Sequence, residues 1–193
     1  DGKNTEFNTP GRLTDASGED QTPAAHAPTI PKADLGLPLL ARSVDMQNFV
    51  RQVDIRTGMI RFGDVPEKKD IASIADVLKL DVVEAEILTG ATDLEQAAAT
   101  VEKWGCPEII ITRSDGVLAR YKGRTYFERF SNRSSHGRTG RGDTTMGAYL
   151  ARRLDHDVEG SLKFAAALAS IKMESPGPFR GTLEDVLFRI FPV

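Results

Sequence analysis

Cysteine is almost absent from this sequence: Cys106 is the single cysteine among 193 residues, so no internal disulfide can form. A lack of disulfides is typical of a reducing compartment, and we predict a cytoplasmic protein. No apolar run approaches the ~20 residues that a membrane-spanning helix needs. The first residues also lack the charged-then-apolar layout of a secretory signal. We therefore expect no membrane partner.

A strong charge of either sign is also missing. The 25 basic and 28 acidic residues give a net charge of −3, which provides no electrostatic footprint for nucleic acid. The three histidines, His26, His136 and His156, are scattered and form no metal-ligand cluster. We therefore expect neither a nucleic-acid partner nor a histidine-based metal centre.

The composition changes along the chain and predicts its domain organisation. Residues 1–38 are rich in Pro, Gly, Thr, Asp and Ala and show no sustained hydrophobic period, which indicates a loop-rich or disordered segment. Residues 39–193 form the predicted domain, with enough apolar residues for one core. Because the chain opens on Asp1 and its first methionine is Met46, we expect that sequence upstream is missing.

Strand and helix patterns alternate from residue 39 onward. SVDMQNFV predicts a short buried strand, and a turn follows around Gly58. Ile71, Ile74, Ala75 and Leu78 recur at helical spacing. VEAEILTG then predicts a short helix that ends at its glycine. The first half of the domain therefore mixes helices and strands.

The second half of the domain continues this pattern. Asp93 is a predicted helix cap and Gly105 the matching terminator. EIIIT, residues 108–112, is an unbroken β-branched run of the kind that is covered on both faces in a parallel sheet. A hairpin is predicted to turn at Lys122 and Gly123, and a last helix to begin after Thr182. The alternation predicts a layered α/β domain.

The stretch GRTGRGDTTMGAYLARRL, residues 137–154, is the strongest functional signal. Glycines at 137, 140 and 142 allow a tight turn that presents N–H groups, and the helix that begins there adds a positive dipole end. The spacing is that of a phosphate-binding loop, but Asp143 stands where that loop has lysine. A carboxylate repels phosphates, so we infer that Asp143 accepts a proton from an alcohol that receives a phosphoryl group.

The same glycine-rich stretch allows other interpretations. The loop could be a flexible turn in which Asp143 caps a helix. Residues 141–143 spell the adhesion tripeptide Arg-Gly-Asp, but the chain lacks the disulfides and secretory signal of an extracellular module. A dinucleotide-binding oxidoreductase would need G-x-G-x-x-G after an early strand, whereas the glycines here run G-x-x-G-x-G. These alternatives are weaker than the phosphoryl-transfer hypothesis.

The segment TGRGDTTMGAYL resembles the D-T-x-G-A-G-D signature of the ribokinase-like, or PfkB, carbohydrate kinases. The resemblance implies that Asp143 is the catalytic base, and that Gly140, Arg141 and Gly142 supply the anion-hole amides. Thr139 would help to cradle the phosphates. Two departures stand out: Gly137 replaces the first aspartate and Arg141 replaces alanine, so the guanidinium could pair with a phosphate oxygen or narrow the loop.

Three further segments resemble the same family. LKLDVVEAEILTG is similar to its K-x-N-x-x-E segment, which implies that Glu84 helps to hold Mg²⁺ and that Asp81, in place of asparagine, adds to that site. A helix N-cap is an open alternative for Asp81. IIITRSDGVLARYKG resembles the strand and turn near the nucleotide, matching at Thr112 and Gly116. AAALASIKMESPGPF resembles the segment that flanks adenine, which implies nucleotide contacts from Ala169, Lys172, Ser175, Gly177 and Phe179.

The resemblance covers Ser43 to Phe191, which corresponds to the family's C-terminal half. Within the family, the sequence most resembles the myo-inositol kinase branch. It implies a ribokinase-like α/β/α architecture with a mostly parallel central sheet and an incomplete N-terminal half. The expected activity is transfer of the γ-phosphoryl group of ATP to a sugar or polyol hydroxyl, with Mg²⁺ as the metal. A homodimer is a candidate assembly. A catalytically inactive nucleotide-binding relic or regulatory fragment of the family is the alternative.

Overall fold

The computed structural model describes residues 41–191, so the predicted loop-rich segment 1–38 lies outside the described residues. Seven strands and seven helices alternate along this part of the chain. They are β1 (Ser43–Asp45), α1 (Gln47–Val50), β2 (Arg51–Val53), β3 (Ile60–Phe62), α2 (Lys68–Ile74), β4 (Val77–Asp81), α3 (Val82–Thr89), α4 (Leu94–Lys103), β5 (Glu108–Thr112), β6 (Gly116–Tyr121), β7 (Arg124–Arg129), α5 (Arg141–Arg152), α6 (Val158–Met173) and α7 (Leu183–Ile190).

Five of the strands form one sheet in the order β1-β4-β5-β6-β7. β1, β4 and β5 pair in parallel, while β6 pairs antiparallel with both β5 and β7. Four of the five strands therefore point the same way, and only β6 runs against them. This confirms the predicted α/β class with a mostly parallel sheet. The carboxyl ends of β1, β4 and β5 meet at one edge, where α/β proteins bind their ligands.

Helices cover both faces of the sheet, and strand β5 shows why. Its alternate residues Ile109 and Ile111 pack in one apolar cluster with residues of α3 and α4. Ile110 points to the opposite face and packs in a second cluster with residues of α5 and α6. Successive strand side chains point to opposite faces, so a strand buried on both sides needs an unbroken apolar run. The prediction for residues 108–112 is confirmed.

The helix predicted across residues 71–78 is too long. α2 ends at Ile74, and Ala75 is its extended C-cap. Leu78 belongs instead to the buried strand β4, where it packs with the face of the sheet that α3 and α4 cover. Helical spacing continued by chance into the strand, since a short apolar run fits both periods.

The strand predicted over SVDMQNFV is also too long. Only Ser43–Asp45 is extended, and the single-turn helix α1 follows. Asp45 Oδ1 accepts a hydrogen bond from the amide of Gln47, which turns the chain out of the strand. β2 and β3 then form a separate antiparallel pair, closed by the predicted turn, in which Gly58 has a φ of 68°.

The other predicted boundaries are confirmed. Asp93 caps α4 by accepting from the Gln96 amide, and Thr182 caps α7. Lys122 and Gly123 both have positive φ, as a tight hairpin turn between β6 and β7 requires. Within residues 41–191, the helices are all too short or too polar to pass through a bilayer.

Candidate active site

The glycine-rich loop ends where helix α5 begins. Gly140 is the helix N-cap and adopts the left-handed conformation, with a φ of 78°, which favours glycine. Among the described residues, no acceptor takes the amides of Gly142 and Asp143, while the amide of Arg141 donates to the Arg138 carbonyl at 3.2 Å. Two amides in the first turn of α5 are therefore available to an anion, and among the described residues no acceptor takes the amide of Gly140 either. Arg141, also predicted as a donor, is already engaged.

Gly137 fixes the other end of the loop. It is buried, and its amide donates to the Met173 carbonyl at 2.8 Å. A Cβ at this position would overlap the backbone carbonyl of Ser175. The family signature has aspartate here, but this backbone leaves no room for any side chain. Close packing against the end of α6 therefore explains the glycine.

Asp143 lies in the first turn of α5 with an exposed side chain. It has no hydrogen-bond or ion-pair partner anywhere in residues 41–191. The carboxylate lines a cavity of about 530 Å³ at the carboxyl edge of the sheet. The residues that share this cavity are Gln47, Arg51, Lys79, Asp81, Thr112, Arg138, Thr139, Gly140, Arg141 and Gly142. A free carboxylate thus faces open space among several cations.

Lys79 is the deepest of these cations, with only 2% of its side chain exposed. Its Nζ donates to both carboxylate oxygens of Asp45, at 3.0 and 3.1 Å. The parallel register places Asp45 directly beside Lys79. A Cβ on Gly142 would come within 3.0 Å of that Nζ. The ammonium therefore lies against the start of α5, at the floor of the cavity.

Arg141 lies between two cavities. Its guanidinium stacks over the Phe130 ring at 5.6 Å from the centroid. Burial, followed by the neighbouring charge of Arg138, lowers the pKa of Arg141, but a guanidinium stays protonated at any physiological pH. Its side chain lines the first cavity and a second one of about 540 Å³. Arg141 therefore presents a positive charge to both.

Thr112 joins the same two cavities at the end of β5. Its hydroxyl donates to the Leu80 carbonyl on the neighbouring strand at 3.4 Å. The second cavity extends over the starts of α3 and α4, and its remaining lining residues are Asp81, Val82, Val83, Thr92, Leu94, Arg113 and Ser114. The two cavities share Asp81, Thr112 and Arg141 in their linings. The contact of Thr112 with a nucleotide stays a prediction.

Asp81 and Glu84 form a capping box at the start of α3. Asp81 Oδ1 accepts from the Glu84 amide at 2.9 Å, and Glu84 Oε2 accepts from the Asp81 amide at 2.7 Å. The N-cap alternative for Asp81 is thus present in the structure. Arg51 donates to Asp81 Oδ2 at 3.2 Å and lies 3.6 Å from Glu84 Oε1. Both acids are therefore already partnered.

Burial raises the pKa of the Glu84 carboxyl, although its bond from the Asp81 amide and the nearby Lys79 charge oppose the shift. The other oxygen of the Glu84 carboxylate, Oε1, is buried and accepts no hydrogen bond from the described residues. Within the described part of the chain, no three His, Cys, Asp or Glu residues gather around a common point. The role of Asp81 and Glu84 in holding Mg²⁺ therefore stays a prediction, with three of their four carboxylate oxygens already accepting hydrogen bonds.

The remaining predicted nucleotide contacts are placed elsewhere. Gly116 starts β6, where a Cβ would overlap the Glu128 carbonyl, so strand packing explains it. The five residues predicted near adenine do not line either cavity. Ala169 is fully buried in α6, and the loop after this helix carries Ser175, Gly177 and Phe179.

Lys172, predicted to contact the nucleotide, contacts the glycine loop in the structure. It is buried in the last turn of α6, and its Nζ donates to the carbonyls of Gly137 and Thr139. The ammonium therefore supports the glycine loop from beneath. The contact of Lys172 with the nucleotide stays a prediction.

Five residues in or beside the first cavity escaped prediction: Asp45, Gln47, Arg51, Lys79 and Arg138. Lys79 is the first letter of the segment that resembles K-x-N-x-x-E, so that lysine was the available signal. Asp45 and Gln47 come from β1 and α1, within the segment SVDMQNFV that predicts one strand, and Arg51 begins β2 directly after it. Asp45 at the end of β1 pairs with Lys79 in β4 through the sheet, and no local sequence pattern indicates that pairing.

Comparison with known proteins shows which family this chain resembles. Residues 59–184 match the family described as pfkB family carbohydrate kinase. A solved pyrophosphate-dependent kinase of the ribokinase family, in complex with a pyrophosphate analogue and myo-inositol, is 36% identical. The match covers 75% of this chain and 52% of that one, with a TM-score of 0.68. A pyrophosphate-dependent myo-inositol-1 kinase, converted into a myo-inositol-3 kinase by two substitutions, is 35% identical over 77% of this chain and 52% of that one, with a TM-score of 0.68.

A more distant relative shares the fold. Ribokinase of Arabidopsis thaliana, complexed with ribose and ATP, is 24% identical over 66% of this chain and 44% of its own, with a TM-score of 0.60. No curated protein sequence matches significantly. The chain spans about half the length of the solved structures that it matches. The family match covers well over half of this chain, and the chain therefore belongs to the PfkB family of carbohydrate kinases.

Proposed function

We propose that this chain carries the donor-binding and catalytic part of a kinase that phosphorylates a hydroxyl of a sugar or polyol. The observation that carries the proposal is the Asp143 carboxylate, which is exposed, has no partner in residues 41–191, and faces a cavity lined by Lys79, Arg138 and Arg141. A carboxylate among cations would normally pair with one of them. A group that accepts a proton must instead stay free and reach the cavity.

The geometry supports an in-line transfer. Asp143 takes the proton of the acceptor hydroxyl, the hydroxyl oxygen forms a bond to the terminal phosphorus, and the bond from that phosphorus to the bridging oxygen breaks. The leaving phosphate keeps the electron pair. The free amides of Gly142 and Asp143 at the start of α5, with nearby Lys79 and Arg141, stabilise the charge that develops on the moving group.

ATP is the donor that the family resemblance implies. The second cavity, which extends from Thr112 over the starts of α3 and α4, is the space available to a nucleoside beyond the phosphates. Mg²⁺ would be held mainly by the donor phosphates. Asp81 and Glu84 would act on it through water, since three of their four carboxylate oxygens already accept hydrogen bonds.

Inorganic pyrophosphate is a second candidate donor, and two observations favour it. The residues predicted to flank adenine lie outside both cavities, whereas four cations line the first one. The two relatives at 35–36% identity are pyrophosphate-dependent. A small, highly charged donor needs cationic side chains and no adenine pocket.

The acceptor is proposed by the same comparison. The relative solved with myo-inositol supports a polyol, and the more distant ribokinase supports no substrate beyond the shared fold. Because the chain covers half of these relatives, the acceptor would also contact residues from the part that is not matched.

A single matrix assay tests the proposal. The full-length protein is incubated with ATP or pyrophosphate against a panel of inositols, sugars and nucleosides, and each product is followed by phosphorus NMR. Phosphorylation of a sugar or polyol with either donor supports the kinase, and the ratio of rates identifies the donor. Donor binding without turnover on any acceptor would support the inactive relic instead.

A further inference from the structure

The ammonium of Lys172 is buried without a carboxylate partner. It is only 5% exposed, and no acidic side chain in residues 41–191 forms an ion pair with it. Its Nζ donates to two backbone carbonyls of the glycine loop, Gly137 at 2.5 Å and Thr139. The negative end of α6 lies close by, which favours a cation in the last turn. Buried charges are normally paired, so this one lacks its counter-ion.

The position of the Lys172 ammonium suggests which group neutralises its charge. A Cβ on Gly140 would be 4.0 Å from Lys172 Nζ and equally 4.0 Å from Asp143 Oδ2, so the ammonium and the Asp143 carboxylate both lie close to Gly140. In the proposed function, on which this inference rests, donor phosphates bound by the amides of α5 would supply the missing counter-charge.

Backbone carbonyls that converge on one point also bind monovalent cations, because such oxygens replace the water around the ion. An ammonium and a potassium ion carry the same charge. We propose that Lys172 is the built-in cation of the glycine loop: it fills, between the carbonyls of Gly137 and Thr139, a place that a soluble monovalent cation could otherwise occupy. The protein then holds its loop without added potassium. Lys172 is a positioning residue, since it acts through the loop.

The test compares full-length wild type with Lys172→Met in potassium chloride, ammonium chloride and choline chloride at equal ionic strength. Thermal unfolding and calorimetric binding of pyrophosphate and of ATP are measured in each salt. Lys163→Met is the matched control, because Lys163 lies on the same helix but is exposed and pairs with Glu159. Neither readout needs turnover, so failure of this inference is distinguishable from failure of the proposed kinase activity.

We expect wild type and Lys163→Met to give the same result in all three salts. Lys172→Met should bind the donor about tenfold more weakly in choline chloride, the effect of losing charge-assisted hydrogen bonds, and should recover in potassium or ammonium chloride. Specific stabilisation of the wild type by potassium would overturn the inference, and so would donor binding by Lys172→Met that equals wild type in choline. If Lys172→Met does not fold, Lys172→Gln takes its place with the same expectations, and the wild-type measurement retains its power to refute.

Discussion

The two ends of helix α5 handle charge in opposite ways. At its C-terminal end, the buried Tyr149 donates to Glu108 Oε1 at 2.5 Å, and Arg153 donates to both oxygens of that carboxylate at 3.0 and 3.1 Å. At its N-terminal end, the Asp143 carboxylate is exposed without a partner in the described chain, and two amides stay free. Both oxygens of the Glu108 carboxylate accept hydrogen bonds, while the oxygens of Asp143 accept none from the described residues.

This difference separates stability from chemistry along one helix. Burial and the adjacent Glu108 charge raise the pKa of Tyr149, so its hydroxyl stays protonated and keeps donating. A fully hydrogen-bonded ionic cluster attaches α5 to β5, and a rigid attachment holds the opposite end of the helix in place. Functional groups are positioned best when the element that carries them is itself fixed.

The largest effect is expected at the N-terminal end. Asp143→Asn should lower turnover by about a thousandfold or more, because it removes the proton acceptor while leaving its shape. The unfolding temperature should stay close to that of wild type, since Asp143 has no partner in residues 41–191 to lose. Steady-state rates and thermal unfolding measure both quantities. Asp155→Asn, an exposed acid just beyond the other end of α5, is the control and should keep wild-type turnover.

Gly137→Ala should damage activity and stability together. Its Cβ would overlap the Ser175 carbonyl, so the loop must move. We expect turnover to fall by about a hundredfold, the cost of misplacing catalytic groups by about 1 Å. Kinetics and denaturant unfolding check this. A fully active Gly137→Ala protein would show that the position of the loop does not matter.

Glu108→Ala should act in the reverse sense, on stability far more than on chemistry. It leaves Arg153 and Tyr149 without their shared acceptor, and we expect a loss of about 2 kcal/mol in the free energy of unfolding. Because Arg153 is one quarter exposed, the cost lies below that of a fully buried pair. Urea unfolding measures the loss. Turnover per folded molecule should change little, and a selective loss of turnover would break the separation between the two ends.

Gly147→Ala gives the smallest effect and sharpens the comparison from the middle of the helix. A Cβ there would meet nothing within 4 Å. We expect a gain of about 0.5–1 kcal/mol in the free energy of unfolding from helix propensity alone, with unchanged turnover. Urea unfolding detects it. A destabilised Gly147→Ala protein would indicate that α5 is strained in a way that its geometry does not show.

Much of the site could be predicted from local sequence. Gly140, Gly142 and Asp143 lie within four residues, so their spacing alone indicates an anion-binding turn with an acid, and the structure places them around one cavity. The covered strand at 108–112 and the caps at Asp93 and Thr182 are equally local. Structural features that depend only on residues close together in sequence can be predicted from that sequence.

The parts that sequence reasoning missed depend on distant contacts. Lys79 reaches Asp45 only because β1 and β4 pair in a particular register, and the two residues are 34 positions apart. Lys172 meets the Gly137 carbonyl across 35 positions because α6 ends beneath the loop. Ionic side chains at such separations have no periodicity to reveal them. Strand β4 was partly hidden because Leu78 also fits the helical period that precedes it.

The most direct test of the central claim is the affinity of Asp143→Asn for pyrophosphate and for ATP, measured by calorimetry on the same full-length preparation whose turnover has been lost. If Asp143 serves only to take a proton, removing its negative charge beside bound phosphates should leave donor affinity equal to wild type or slightly higher. A fall in donor affinity as large as the fall in turnover would contradict the account, because Asp143 would then be a binding group and not the base.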